Sequence, residues 1–253
     1  MGSASRRPAG RRLTCSVRTQ LIVAAIVLLP GMDGTGALVS DFVAELKPKI
    51  EVTVVTYPND ATAGYAELES TVRAALPADK SFFLLGESFS GPIAISIAAS
   101  PPPGLRGLVL CSSFVRSPRR SLTWFRLLIR ILPLGKAGPI ANWLLLGRFS
   151  KEHLRLSLAR ALAQVSPAAL RARLAAVANV DVSSKLAKVR VPVLYLRASE
   201  DRLVPRSAGA EIKGILPAVG IAELEGPHFL LQTAPVAAAR EVMEFVNSVA
   251  VGP

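Results

Sequence analysis

The strongest constraint on the fold comes from a turn of small residues between two apolar segments. The sequence GESFSG at residues 86–91 follows SFFLL at 81–85, an apolar run typical of a buried strand. It precedes PIAISIAA at 92–99, whose small and apolar residues suit a packed helix. A strand and a helix can meet this closely only where the side chains between them are small. The segment therefore predicts a tight strand–turn–helix unit with Ser88 in the turn.

Ser88 has the surroundings that a nucleophilic serine needs. A serine hydroxyl is a weak nucleophile, so it must be held exposed, beside a base and near N–H groups that stabilise an oxyanion. Such turns usually read G-x-S-x-G, whereas here Ser90 fills the last position and Gly91 follows it. Because serine is also small, we interpret the segment as a nucleophile elbow, although the motif alone leaves a non-catalytic turn open.

A general base can come only from one of two histidines in the chain. His228 lies in EGPHF at 225–229, after an apolar strand-like run, on a loop that can reach over the end of a sheet. His153 lies in a charged amphipathic stretch and is predicted to be a solvated helix residue. We therefore take His228 as the candidate base, with a structural loop histidine as the alternative.

The base needs an orienting acid, and three carboxylates compete for this role. Asp201 follows the strand-like run VPVLYL at 191–196 and is our candidate. Glu200 is its immediate neighbour, and Asp181 is the second competitor. A lone surface aspartate is usually only a turn or cap residue, so the choice depends on the fold.

Oxyanion donors are expected in the glycine-rich turn LPGMDGTG at 29–36, which follows an apolar run at 21–28. The backbone N–H groups of Met32 and Phe89 would form the pair. A phosphate-binding loop or a plain turn is the alternative. The glycine spacing does not fit the dinucleotide-binding fingerprint.

Together these motifs resemble alpha/beta-hydrolase fold serine hydrolases of the bacterial carboxylesterase-like kind. The resemblance spans residues 21–249, and the order Ser88, Asp201, His228 is the order of that fold. Two features depart from it. Pro30 stands where many relatives have His before the oxyanion glycine, and only twenty residues precede Leu21, which leaves no room for the usual antiparallel hairpin.

The resemblance implies a mainly parallel α/β sheet with helices on both faces and a helical cap insertion. The alternation of strand-like and helix-like patterns independently favours the same sheet. We expect a flexible basic tail at 1–20, a core at 21–112 and 187–253, and a cap at 113–186. Ester hydrolysis is expected through an acyl-enzyme, without a metal or organic cofactor. Substrate contacts are expected from Gly31, Met32 and Trp124.

Positive charge is concentrated in the predicted cap. The chain has a net charge of +12, and residues 113–186 contain thirteen Lys and Arg against only Glu152 and Asp181, a net of +11. Within the cap, residues 121–132 form a cationic amphipathic segment around Trp124. It can be interpreted as a contact with an anionic membrane or an acidic carrier protein. Alternatively, it is a cap helix with solvated arginines. Nucleic-acid binding is not expected, because no recognition module is present.

The substrate is expected to be a small-molecule ester, but two other functions remain open. Pimeloyl-acyl-carrier-protein methyl esterases are similar in fold and hold an acidic carrier with cap arginines. The cap positions that could act this way here are Arg116, Arg119, Arg120, Arg126 and Arg130. The rival from another class is a non-catalytic binding protein on a hydrolase scaffold.

The sequence favours a cytoplasmic location. Two cysteines do not make a disulfide framework, and Cys111 is predicted to be a buried thiol. The N-terminal arginines and the apolar run after them imitate a signal peptide. However, the run has about nine residues, against roughly twenty for a membrane span, and no small-residue cleavage site follows it.

Overall fold

A single parallel sheet organises the part of the chain that the computed structural model describes, residues 24–118 and 138–250. Its strand order is β2-β1-β3-β4-β5-β6, and every neighbouring pair is parallel. The strands are β1 Ala25–Leu29, β2 Glu51–Val54, β3 Phe82–Glu87, β4 Leu105–Cys111, β5 Val193–Ala198 and β6 Gly220–Leu224. Parallel strands need cover on both faces, which explains their nearly continuous apolar runs.

Helices supply that cover. In the described ranges they are α1 Ser40–Leu46, α2 Tyr65–Ala74, α3 Gly91–Ala99, α4 Pro139–Leu145, α5 Glu152–Ala163, α6 Pro167–Asn179, α7 Ser183–Leu186, α8 Arg206–Ile215, α9 Leu230–Thr233 and α10 Pro235–Ala250. Short 3₁₀ turns occur at Ala37–Val39, Ser88–Ser90 and Gly147–Phe149. The start of α6 shows the local rules clearly. Ser166 caps the helix by accepting the N–H of Ala169, and Pro167 occupies the first helical position.

The hydrophobic core has two layers, one on each face of the sheet. Because successive strand residues point to opposite faces, Val27 packs in the layer that contains α3, whereas Ile26 and Leu28 pack in the layer that contains α10. All six residues of β3 are buried. The strand that leads to Ser88 is therefore held rigidly from both sides.

The predicted α/β class is confirmed, with small differences at element ends. The sequence EVTVVT at 51–56 predicts a second strand, and the strand that forms there ends at Val54. There the chain turns toward the loop after β1, and the N–H of Tyr57 donates to the carbonyl of Gly34 over 2.8 Å. The loops after β1, β3, β5 and β6 carry the four predicted motifs. Since the strands are parallel, these loops meet at one edge of the sheet.

Some predictions fall on residues that lie outside the described ranges. These are the basic tail at 1–20, the cationic segment at 121–132 and Trp124 within it. Residues 138–186 hold α4 to α7 and are the C-terminal part of the region predicted as a cap. Of the helices described, none combines the length and the apolar character needed to cross a bilayer.

Candidate active site

Ser88 occupies a strained turn directly after β3. Its φ is +49°, a left-handed backbone conformation that residues other than glycine rarely adopt. The flanking glycines permit the close approach of strand and helix. A Cβ on Gly86 would lie 2.9 Å from the Cβ of Ala94, and one on Gly91 would lie 1.7 Å from Ser113 Oγ. The turn therefore has the geometry of a nucleophile elbow, in which the strain holds one side chain away from the helix.

Ser90 explains how the motif works without glycine at its last position. Its side chain is fully buried, and its hydroxyl donates to the carbonyl of Pro30 while the Tyr57 hydroxyl lies 2.6 Å away. After Ser88, the position that cannot accept a side chain is Gly91, one residue beyond Ser90. Ser90 thus joins the elbow to the glycine-rich loop after β1.

The structure brings Ser88, His228 and Asp201 into one hydrogen-bonded chain. Ser88 Oγ lies 2.7 Å from His228 Nε2, and His228 Nδ1 lies 2.8 Å from Asp201 Oδ2. The other Asp201 oxygen accepts the N–H groups of Leu203 and Val204, both at 2.8 Å. The Asp201 carboxylate accepts a hydrogen bond from Nδ1–H, which leaves the Nε2 lone pair for the serine hydroxyl. This arrangement is suited to removing the hydroxyl proton.

The ionisation of His228 depends on the balance between burial and negative charge. Its side chain is only 5% exposed, and burial alone would lower its pKa. Attraction by Asp201, the hydrogen bond to that carboxylate and the more distant charge of Glu87 outweigh burial and raise the pKa above its usual value. We therefore expect His228 to become a better proton acceptor than an unassisted imidazole.

Asp201, rather than Glu200 or Asp181, is the carboxylate that reaches the imidazole. Glu200 turns to the surface and pairs with Arg148 at 2.6 Å, and its hydrogen bond with that guanidinium lowers its pKa. Asp181 accepts from the hydroxyl and N–H of Ser183 and pairs with Arg116. Those Ser183 hydrogen bonds are the main reason that its pKa falls to about 2.

The loop after β1, which carries the predicted oxyanion donor Met32, is hydrogen-bonded to the end of β3, and the other predicted donor, Phe89, lies in the elbow. The N–H of Gly31 is already donated to Glu87 Oε2 at 3.1 Å, whereas the N–H of Met32 meets no acceptor among residues 24–118 and 138–250. The Met32 side chain packs against the main core and against a small cluster formed by Val165, Ala169 and Leu170. Phe89 is fully buried, with its ring stacked 4.9 Å from Tyr65.

A buried arginine from α6 fastens this loop to the helical region. Arg173 is 1% exposed, and its Nη1 donates to the carbonyls of Met32 and Asp33, both at 2.8 Å. Its Nη2 donates to the carbonyl of Pro58, also at 2.8 Å. Burial lowers the pKa of Arg173, although the nearby charge of Asp33 opposes this. Three separate carbonyls thus depend on one guanidinium.

We expect Arg173→Met to lower the free energy of unfolding by about 3 kcal/mol, because the carbonyls of Met32, Asp33 and Pro58 would lose the donor that a buried guanidinium supplies. Arg171→Met is the matched control, since Arg171 is exposed on the same helix, and it should change stability by less than about 0.5 kcal/mol. Urea unfolding of both variants provides the measurement. Similar small losses in the two would contradict a bracing role for Arg173.

The α4 segment supports the loops that carry Asp201 and His228. Arg202, next to Asp201, donates to the carbonyl of Trp143 at 2.9 Å and stacks over its ring at 4.7 Å. The N–H of Phe229, next to His228, donates to the carbonyl of Leu145 at 3.1 Å. Backbone groups of α4 therefore hold the positions of both loops.

Only one of the five arginines predicted to bind a carrier lies in the described residues. Arg116 is engaged within the chain, at 3.0 Å from Asp181 and 2.7 Å from Glu211. The other four lie in the gap between residues 118 and 138. Carrier or membrane binding through the cap therefore stays a prediction.

Sequence reasoning missed two buried charged residues in this site, Glu87 and Arg173. The signal for Glu87 was its place at the end of an otherwise apolar strand. Arg173 had no such signal, since it is one of thirteen basic residues in the predicted cap. In the described ranges, no group of three or more His, Cys, Asp and Glu side chains is arranged to hold a metal ion.

The parallel sheet and the sharp turn at Ser88 define an alpha/beta hydrolase fold. The profile of the alpha/beta hydrolase family matches residues 26–241, and the chain belongs to that family. Similar solved structures include a lipase-esterase related protein from Clostridium acetobutylicum, with 16% identity, a TM-score of 0.75, and coverage of 88% of this chain and 94% of that chain.

Two other solved structures share the fold at low identity. One is an esterase from Rhodococcus sp., with 22% identity, a TM-score of 0.70, and coverage of 89% of this chain and 91% of that chain. The other is a hydrolase from Oleispira antarctica, with 15% identity, a TM-score of 0.76, and coverage of 88% and 90%. No curated protein matches the chain significantly.

Proposed function

We propose that this protein is a serine hydrolase that cleaves carboxylic esters through an acyl-enzyme. The observation that carries the proposal is the hydrogen-bonded chain from Ser88 to His228 to Asp201, with distances of 2.7 and 2.8 Å. A non-catalytic scaffold protein would have no need to keep a serine at a φ of +49° beside an oriented imidazole. Membership in the alpha/beta hydrolase family supports hydrolysis in general.

The proposed reaction begins with attack of Ser88 Oγ on the ester carbonyl carbon while His228 Nε2 accepts the hydroxyl proton. The carbonyl electron pair moves to its oxygen, which the N–H groups of Met32 and Phe89 would stabilise. When the tetrahedral intermediate collapses, the alcohol leaves with the proton from His228. Asp201 keeps the imidazole in the correct tautomer and stabilises its cation throughout.

Water completes the cycle by the same route. His228 removes a proton from water, whose oxygen attacks the acyl carbon of the acyl-enzyme. The ester bond to Ser88 breaks, and the serine oxygen recovers the proton as the carboxylic acid leaves. Each step uses groups that lie within the hydrogen-bonded chain, the elbow or the loop after β1.

The proposal is tested by two measurements on the purified full chain. A fluorophosphonate probe should label the protein, and peptide mass spectrometry should map the adduct to Ser88, since only an activated serine reacts readily. A p-nitrophenyl ester series from acetyl to palmitoyl should then reveal turnover and the preferred acyl length. Absence of both labelling and hydrolysis in the folded protein would favour the non-catalytic scaffold instead.

A further inference from the structure

Glu87 is a buried carboxyl that the proposed reaction does not use. It is the last residue of β3, directly before Ser88, and is 4% exposed. Burying an ionisable group costs free energy unless its oxygens find donors, so its presence here calls for a physical reason.

The two oxygens of Glu87 contact two different segments of the site. Oε2 accepts the N–H of Gly31 at 3.1 Å, and Oε1 accepts Nε2 of Gln232 at 2.8 Å. Gly31 precedes the proposed oxyanion donor Met32, and Gln232 lies in α9, four residues after His228. One side chain thus connects the elbow, the loop after β1 and the segment that follows the base.

Glu87 also acts electrostatically on the base. The ionisable groups around it are Asp33 in the loop after β1, Cys111 at the end of the neighbouring strand and His228. The Cys111 thiol is neutral, because burial raises its pKa well above the usual value. A negative charge on Glu87 favours the imidazolium form of His228, in addition to the larger effect of Asp201.

We propose that Glu87 is a positioning residue for the reaction, which holds the Gly31 loop against the nucleophile and places a negative charge beside His228. This inference rests on the proposed serine hydrolase function. Burial is the main cause that raises the pKa of Glu87 to about 7, with a further increase from Asp33. The charge therefore develops across the neutral range, in which the enzyme would work.

Glu87→Gln and Glu87→Leu separate the charge from the hydrogen bonds. Glutamine can still accept the Gly31 N–H, and its amide can donate to Gln232 Oε1, an atom without a partner in the described part of the chain. It therefore removes the charge and keeps the connections. Leucine removes both. Glu244→Gln is the matched control, because that side chain is 65% exposed on α10.

The measurement is the second-order rate constant for fluorophosphonate labelling of Ser88 between pH 5 and 9. In the wild-type protein, labelling should fall on acidification as His228 gains its proton. In Glu87→Gln this fall should move to lower pH, because loss of the nearby negative charge lowers the pKa of His228, while the plateau rate stays within about threefold. Glu87→Leu should lower the plateau roughly tenfold or more, because the Gly31 N–H loses its acceptor and the loop that carries Met32 is no longer held against β3.

A second measurement shows whether Glu87 ionises in the folded protein, independently of the reaction. Its folded pKa of about 7 exceeds its ordinary value of 4.5, so ionisation penalises the folded state. The urea midpoint of the wild-type protein should therefore fall relative to Glu87→Gln as the pH rises from about 4.5 to 7, and the difference should stay constant above that range.

The outcomes are distinguishable. A folded wild-type protein that is not labelled at all would overturn the serine hydrolase proposal itself. If the wild type is labelled but Glu87→Gln shows an unshifted acidic limb, or Glu87→Leu an unchanged plateau, the inference about Glu87 alone is overturned. An unchanged difference in urea midpoints across the pH range would likewise show that Glu87 does not ionise as required.

Discussion

Ser88→Ala is expected to reduce ester hydrolysis on the order of a million-fold, because it removes the oxygen that forms the acyl-enzyme. The fold should survive, since the change removes one hydroxyl group and, with it, only the hydrogen bond to His228. Initial rates with the best p-nitrophenyl ester, compared with circular dichroism spectra of both proteins, provide the measurement.

Ser90→Ala is the matched control for this prediction. The Ser90 hydroxyl is already committed to the Pro30 carbonyl and to Tyr57, and its side chain is fully buried. The Ser90→Ala substitution should therefore shift the loop after β1 and reduce turnover far less than Ser88→Ala does. If pure Ser88→Ala retains hydrolysis, or if Ser90→Ala loses more activity, Ser88 is not the nucleophile and Ser90 becomes the candidate.

Asp201→Asn should lower turnover by about ten-thousand-fold, the second largest effect that we expect. An asparagine amide can donate to Nδ1, which would favour the imidazole tautomer with its proton on Nε2 and its lone pair away from Ser88. The binding of substrate should change little, so the loss should appear in kcat rather than in KM. Steady-state kinetics near the pH optimum of the wild type separate the two constants.

Glu200→Gln and Asp181→Asn are controls that carry the same chemical change. Glu200 pairs with Arg148 at the surface, and Asp181 contacts Arg116 and Ser183, so each should lower turnover only slightly. A dominant effect at either position would mean that the working acid is not the one that contacts His228 in the structure.

The choice among these three acids shows where sequence reasoning stopped. Asp201 and Glu200 are adjacent, and both follow the same strand, so no periodic pattern separates them. The fold decides because the N–H groups of Leu203 and Val204 fix one oxygen of Asp201 and direct the other toward His228. The side chain of Glu200 points to the solvent side of the turn, where it pairs with Arg148.

At the Ser90 position, the sequence pattern accounts for only part of what the structure shows. The sequence indicated that any small residue would suit the turn. In the structure the hydroxyl also binds the Pro30 carbonyl, and the close approach of backbone to Ser113 occurs at Gly91. A consensus pattern shows which positions need a small residue. It does not show that the hydroxyl at one of these positions forms a hydrogen bond with a distant loop.

The sequence by itself determined the α/β class and placed Ser88, Asp201 and His228 each after a strand, because apolar runs and turn residues are local signals. Only the tertiary structure decided how those loops are held. Glu87 meets Gly31 across 56 positions and Gln232 across 145, and Arg173 meets Met32 across 141. Contacts between buried charges and distant backbone groups follow from the packing of the whole sheet, and no local pattern encodes them.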